Sequence, residues 1–304
     1  MDTTPSVRLP DDAESGIPAR PPWPTQIGAR TFSWGTRTYV MGVINATPDS
    51  FSGDGLLAEG TDPVAAAVRQ ALEMAAEGAD MLDVGGESTR PGHPPVDADE
   101  ERRRTEPVVH AIRAALPAMP ISIDTTKPDV ARSALEAGAS MINDIWGTSE
   151  SSDISRLAAE RGVPIVLMHN RHEARYRNVI AEVMADLQRA LERALAAGVS
   201  WDHLIVDPGI GFGKTAEHNL VVLRELPLIA TLGRPVLLGT SRKSTIGKVL
   251  DLPAGQRLEG TLATTALGVA AGADIVRVHD VQANVRAARM ADAIVRGGWH
   301  EESA

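Results

Sequence analysis

The polar residues that follow short apolar runs in this chain form a set able to bind and activate a charged small molecule. Asn45 follows "YVMGVI", Glu87, Thr89 and Arg90 follow "DMLDV", and Asp124 follows "PISI". Asn143 closes "SMIN" and Asp144 follows it, His169 and Asn170 follow "PIVLM", and Asp207 follows "HLIV". "PVLL" leads to Ser241, Arg242, Lys243 and Ser244, and "DIVRV" carries Arg277 and leads to His279. A single Asp after a strand is usually a helix cap, and Asp144 and Asp280 fit that ordinary role.

Two chemistries emerge from the rest. Asp124, Asn143, Asp207 and Lys243 offer carboxylates, an amide and an ammonium, which suits a flat heterocycle with several donors and acceptors. Arg277, His279 and the "TSRKS" segment offer a planar fork and point charges for phosphate oxygens. Asn45 and nearby carboxylates are hard oxygen ligands of the kind Mg²⁺ takes. Cysteine is absent and the histidines lack helical pair spacing, so a zinc site is not expected.

One segment invites another reading. "DPGIGFGKT" (207–215) ends like a phosphate loop, but Pro208 stands where that motif needs its first glycine. A strand precedes it and a helix follows, so local context does not decide. The chain-wide pattern does.

From Tyr39 onward the eight apolar runs alternate with amphipathic stretches such as "DPVAAAVRQALEMAAEG" and "VIAEVMADLQRALERALAAG". Each run is short and rich in Val, Ile, Leu or Met, as a strand buried on both faces should be. A joint recurs in "AAEGADMLDV", "LEAGASMIND", "AAERGVPIVL", "LAAGVSWDHLIV" and "VAAGADIVRV": helix end, glycine, strand. Glycine suits the left-handed position that stops a helix. Eight such units predict an α/β fold, a (β/α)₈ TIM barrel, in which strand-end residues face the active site. The alternative, an open doubly wound sheet, would carry a glycine fingerprint after its first strand, where this chain has "NATPDSF". In a barrel, "DPGIGFGKT" is the loop after strand six, and a triphosphate site is not expected there.

The whole chain fits one barrel domain over 31–300, preceded by a Pro-rich extension over 1–30 that Trp23 or Trp34 is placed to pin. With 304 residues and 43% hydrophobic content, the core is ample. The net charge of −10 argues against nucleic acid as the main partner. No apolar run reaches a membrane span and the start lacks signal-peptide features, so a cytoplasmic protein is expected. "NATPDSFSGDGLLAEGTD" and "GGESTRPGHPPVDADE" are long loops of the kind that cover or complete sites.

These blocks resemble the dihydropteroate synthase family. "MGVINATPDSFSGDG", "DVGGESTRPG", "SIDTTKPDVARSALEAGASMINDI", "VLMHN", "DPGIGFGKTAEHNL", "LLGTSRKSTIG" and "EGTLATTALGVAAGADIVRVHDV" occur in the family's order from about Met41 to Val281. The resemblance implies a barrel, often dimeric, that joins 6-hydroxymethyl-7,8-dihydropterin diphosphate to 4-aminobenzoate with Mg²⁺. By motif position it implies that Asp124, Asn143, Asp207 and Lys243 hold the pterin, with Met168 and Phe212 lining the pocket. Asn45, Arg277 and His279 would hold the diphosphate and its Mg²⁺, and Lys243, Arg277 and His279 would carry the catalysis. Thr89, Arg90 and Ser244 would help form the aminobenzoate site. Lys214, on this reading, is not a phosphate-loop lysine.

The first loop departs from the family. It reads "SFSGDG" rather than "SFSDGG", which displaces an acid to Asp54. Sulfonamides mimic aminobenzoate in that family, so a sulfonamide-insensitive variant is one reading of this change. Two rival functions share the barrel: a methyltetrahydrofolate-dependent methyltransferase, which has no diphosphate to hold, and a non-catalytic pterin-binding paralogue.

Overall fold

The computed structural model describes residues 23–47, 62–87, 96–151 and 153–297. A short antiparallel hairpin comes first, β1 (Thr25–Ile27) and β2 (Arg30–Phe32). Eight parallel strands follow: β3 (Tyr39–Asn45), β4 (Met81–Gly85), β5 (Ile121–Asp124), β6 (Met141–Asp144), β7 (Ile165–Met168), β8 (Leu204–Asp207), β9 (Leu237–Leu238) and β10 (Ile275–Val278). Each pairs with its chain neighbour and β10 pairs with β3. A bridge between Val206 and Val236 joins β8 to β9 and closes the barrel. All eight apolar runs of the sequence are these strands.

Helices clothe the barrel: α1 (Pro63–Ala76), α2 (Ala98–Ala115), α3 (Pro128–Glu136), α4 (Asp153–Arg161), α5 (Val179–Ala196), α6 (Ala216–Arg224), α7 (Leu226–Ala230), α8 (Ser244–Leu250), α9 (Leu258–Ala270) and α10 (Val281–Arg296). Their starts are chemically marked. Asp62 caps α1 by accepting from the Val64 N–H at 3.0 Å, and Pro63 opens that helix. The five joint glycines, Gly78, Gly138, Gly162, Gly198 and Gly272, all have positive φ. The repeated joint is therefore a repeated backbone turn. Inward stripes such as Val183, Leu187 and Leu191 of α5 are buried, each stabilising the fold by roughly 1.5–3 kcal/mol. Among the described residues no helix is long and apolar enough to cross a membrane.

Two apolar clusters divide the strands by parity. Val40, Leu82, Ile121, Ile123 and Ile142 belong to the layer between strands and helices. Met41, Met81, Met141, Val166, Ile205, Leu237 and Ile275 cluster inside the barrel with Ile27, Phe32, Trp34 and Tyr39. The hairpin thus plugs the end of the barrel at which the strands begin. Trp34 Nε1 donates to Thr25 Oγ1 at 2.9 Å, and Thr25 Oγ1 donates to the Asp202 carbonyl at 2.7 Å. The boundary expected at residue 30 falls inside this hairpin, because Thr25 and Ile27 are as buried as the barrel core. Trp34 is buried in the plug, whereas Trp23 is 46% exposed.

Candidate active site

Because side chains alternate along a strand, the inward set runs Met81, Asp83, Gly85 on β4; Ser122, Asp124 on β5; Met141, Asn143 on β6; and Ile275, Arg277 on β10. This parity brings four polar side chains together toward the strands' C-terminal ends. Arg277 Nε donates to Asp83 Oδ2 at 2.6 Å and Arg277 Nη2 donates to Asp124 Oδ2 at 2.8 Å. Asn143 Nδ2 donates to the same Asp83 Oδ2 at 3.0 Å. Three acceptors in this cluster, Asp83 Oδ1, Asp124 Oδ1 and Asn143 Oδ1, are buried without a partner. Burial pushes the Asp124 carboxyl up to about 7, against the pull of Arg277, with Asp83 adding like charge. Burial pulls on Arg277 in the opposite sense, but Asp83 and Asp124 outweigh it and raise Arg277 above its ordinary value.

The sequence grouped Arg277 with the phosphate-side residues. Its guanidinium instead lies among the carboxylates, since position 277 is an inward strand position and its fork spans Asp83 and Asp124. Asp83 was missed altogether. A search of strand ends passes over a mid-strand residue, although its parity with Met81 marks it as inward.

A second cluster is built on the loop after β8. Asp207 Oδ1 accepts from the Gly209 N–H at 2.7 Å, and burial raises the Asp207 pKa. Lys243 donates to the Ile210 carbonyl, and its Nζ lies 4.2 Å from the Phe212 ring centroid. Burial pulls Lys243 down to about 8, opposed by Asp207. Met168 is buried at the end of β7, register partner of Asp207. The two clusters adjoin: a Cβ at Gly239 would lie 3.9 Å from Arg277 Cβ and 4.0 Å from Lys243 Nζ.

Lys214 holds this loop from its other side. Its Nζ donates to the Gly209 carbonyl at 3.0 Å, the Phe212 carbonyl at 3.1 Å and His169 Nδ1 at 2.8 Å. With Nδ1 accepting, His169 Nε2 carries the proton and donates to Asp186 Oδ2 at 3.2 Å; the tautomer follows from these partners. Burial, then Lys214, depresses His169 to about 3, which keeps it neutral. Lys214 itself falls to about 7, chiefly through burial. His169 and Lys214 are thus structural supports, and the loop is no phosphate loop. Gly209, at φ +68°, leaves no alternative residue: a Cβ there would lie 1.9 Å from the His169 carbonyl oxygen.

Among the residues expected to meet phosphate, His279 Nδ1 is 2.9 Å from Ser241 Oγ, which also accepts the His279 backbone N–H at 3.1 Å. Arg242 adopts a left-handed φ of 57°. It is held there by a fork onto Asp280 at 3.0 and 2.6 Å and by its N–H donating to Thr261 Oγ1 at 3.1 Å. Asp280 stands at the start of α10, but its side chain makes no capping hydrogen bond there and serves Arg242 instead of the cap role read from sequence. Ser244 is exposed at the start of α8, and Asn45 ends β3, half-buried. Glu87 pairs with Lys127, which also donates to buried Glu101 at 2.5 Å. Thr89, Arg90 and Asp54 lie outside the described residues. Among the described residues no three His, Asp or Glu side chains are grouped to hold a metal, and the acids of the loop that follows Asn45 lie outside them.

This geometry has counterparts. Residues 41–279 match the family model for pterin binding enzymes. The dihydropteroate synthase of Clostridium beijerinckii is 49% identical over 272 residues, 89% of this chain and 99% of that protein. The solved dihydropteroate synthase of Xanthomonas albilineans with 4-aminobenzoic acid has a TM-score of 0.84 to this chain. It is 41% identical and covers 91% of this chain and 98% of its own. That of Clostridium difficile, in the presence of pteroic acid, has a TM-score of 0.82 at 46% identity over 86% of this chain and 98% of its own. The family model, the fold and 49% identity over 89% of the chain agree, and the chain belongs to the dihydropteroate synthases of the pterin-binding enzyme family.

Proposed function

We propose that this site joins 6-hydroxymethyl-7,8-dihydropterin diphosphate to 4-aminobenzoate, giving 7,8-dihydropteroate and diphosphate. The observation that carries the assignment is the set of buried, unpaired acceptors on Asp124 and Asn143 beside Asp207 and Lys243. Such acceptors are costly unless a ligand brings N–H donors, and a dihydropterin ring brings several. Phe212 and Met168 supply apolar faces for the ring, and Lys243 supplies a donor for its carbonyl edge. The bond from the exocyclic methylene to the diphosphate oxygen breaks, its electron pair leaving with the diphosphate. The aromatic amine then forms the new C–N bond and loses a proton. No protein nucleophile is required. Arg277 and His279 stabilise negative charge on the departing oxygens, which requires Arg277 to release part of its hold on Asp124.

Mg²⁺ fits as a companion of the substrate. Asn45 offers one neutral oxygen ligand, with no acidic cage among the described residues, and Mg²⁺ commonly takes few protein ligands plus phosphate oxygens and water. Bound there, it would neutralise charge on the leaving diphosphate. Thr89, Arg90 and Ser244 are assigned to the aminobenzoate. Membership of the dihydropteroate synthases sets aside methyl transfer, and the set Asp124, Asn143, Asp207, Lys243, Arg277 and His279 argues against a non-catalytic paralogue. The same reading makes the protein a cytoplasmic homodimer.

The test is Lys243→Ala, assayed with pterin diphosphate, 4-aminobenzoate and Mg²⁺. Turnover should fall by about 100-fold, the usual effect of losing a preorganised donor, with the variant still folding cooperatively. Near-normal turnover would remove Lys243 from the site.

A further inference from the structure

Asp83 is a fully buried carboxylate inside the barrel, beneath the residues assigned to the ligand. Register places it beside Val43 on one side and Ser122 on the other, neither of which carries charge. Stability alone gives no reason for a charge there, because a well-packed apolar residue commonly serves as well. What Asp83 does for its neighbours is specific. A carboxylate only accepts, so Asn143 must turn its amide nitrogen toward Asp83 Oδ2, at 3.0 Å. The amide oxygen is then the atom left buried and unpaired. The same Oδ2 takes Arg277 Nε at 2.6 Å, which leaves the outer edge of the guanidinium for Asp124 Oδ2. Asp124 Oδ1 remains as a second unpaired acceptor.

We infer that Asp83 is a positioning residue for pterin recognition: one carboxylate sets the Asn143 amide and the Arg277 fork so that Asn143 Oδ1 and Asp124 Oδ1 face the site as acceptors, beside the Ser122 hydroxyl, which is also buried and unpaired. The inference rests on the pterin assignment above. It gives the site a direction of selectivity. Ring systems with N–H donors along that edge bind, and ring systems with acceptors there are rejected, because each would face an unpaired oxygen. With the amide reversed, Asn143 would offer a donor and the selectivity would relax.

The test compares Asp83→Asn and Asp83→Glu with Asp124→Asn and the unaltered enzyme. Binding of 6-hydroxymethyl-7,8-dihydropterin is measured by calorimetry and both substrate KM values by steady-state assay, with melting temperatures as the folding check. Asp83→Glu keeps a charge beside Arg277 and serves where Asp83→Asn does not fold. The expected result for each folded variant is a KM for the pterin diphosphate at least tenfold higher, with the aminobenzoate KM within twofold. Proportional rises in both KM values would indicate a merely structural role and overturn the inference. So would dihydropterin binding within twofold of the unaltered enzyme in a folded variant, while Asp124→Asn has lost it. Unchanged dihydropterin binding in Asp124→Asn itself would remove the pterin assignment, and this inference with it.

Discussion

Asp124 donates nothing and accepts from Arg277, yet burial holds its carboxyl at about 7, far above the usual range. The sign of its response to ligand follows. N–H donors on the unpaired Oδ1 favour the charged form and lower the pKa, so dihydropterin binding at pH 7 should release a proton fraction. Lys243, near 8, responds in reverse, since an acceptor beside its ammonium raises its pKa and draws a proton in around pH 8.5. Calorimetry in buffers of different ionisation heat should show net release near pH 6.5–7 and net uptake near pH 8.5. Asp124→Asn should abolish the release alone. Binding without buffer dependence would place neither group at the ligand. At this scale the sequence was informative wherever a residue ended a strand. Asp124, Asn143 and Asp207 stood at such positions and Lys243 in the loop after β9, and each lies in the clusters described. Asp83 stood mid-strand, and Arg277's partners depend on three strands distant in sequence, so neither relation was readable from local context.

The loop from Asp207 to Thr215 shows how an element positions chemistry. It is clamped by Lys243 on one side and Lys214 on the other, and it crosses the His169 carbonyl too closely for any side chain at Gly209. Gly209→Ala combines that collision with a positive φ and should cost more than about 3 kcal/mol of folding stability. Gly255→Ala, where an added Cβ meets nothing within 4 Å, should be close to neutral. Chemical denaturation of the two variants compares them directly, and equal midpoints would mean the loop relaxes freely. Elements were legible for a physical reason. A strand buried on both faces must be a short apolar run, and a helix that turns straight into a strand needs glycine at the joint. The hairpin escaped because its six strand residues alternate Thr, Gln, Ile and Arg, Thr, Phe beside a Pro-rich stretch. Its burial comes wholly from the barrel end it plugs.

The outermost helices carry the consequence for the whole molecule. In α9 the buried positions include Thr261, Thr265 and Gly268, while Leu267 is 71% exposed. Thr265 Oγ1 donates to Asn284 Oδ1 of α10 at 2.7 Å, which explains why threonines face inward. On α10, Met290 and Ile294 lie one turn apart and are 63% and 71% exposed. Apolar side chains turned outward on two packed helices suit a second copy of this chain, as the proposed homodimer requires. The unaltered protein should sediment at about 64 kDa, twice the 32.2 kDa chain. Leu267→Glu with Ile294→Lys replaces side chains that are already exposed, so the barrel should keep its stability to within about 1 kcal/mol. Sedimentation should then report a monomer. Because the described site side chains come from one chain, turnover per chain should persist in that monomer. A double variant that still sediments as a dimer would place the interface elsewhere, and an unaltered protein that sediments at 32.2 kDa would remove the homodimer itself.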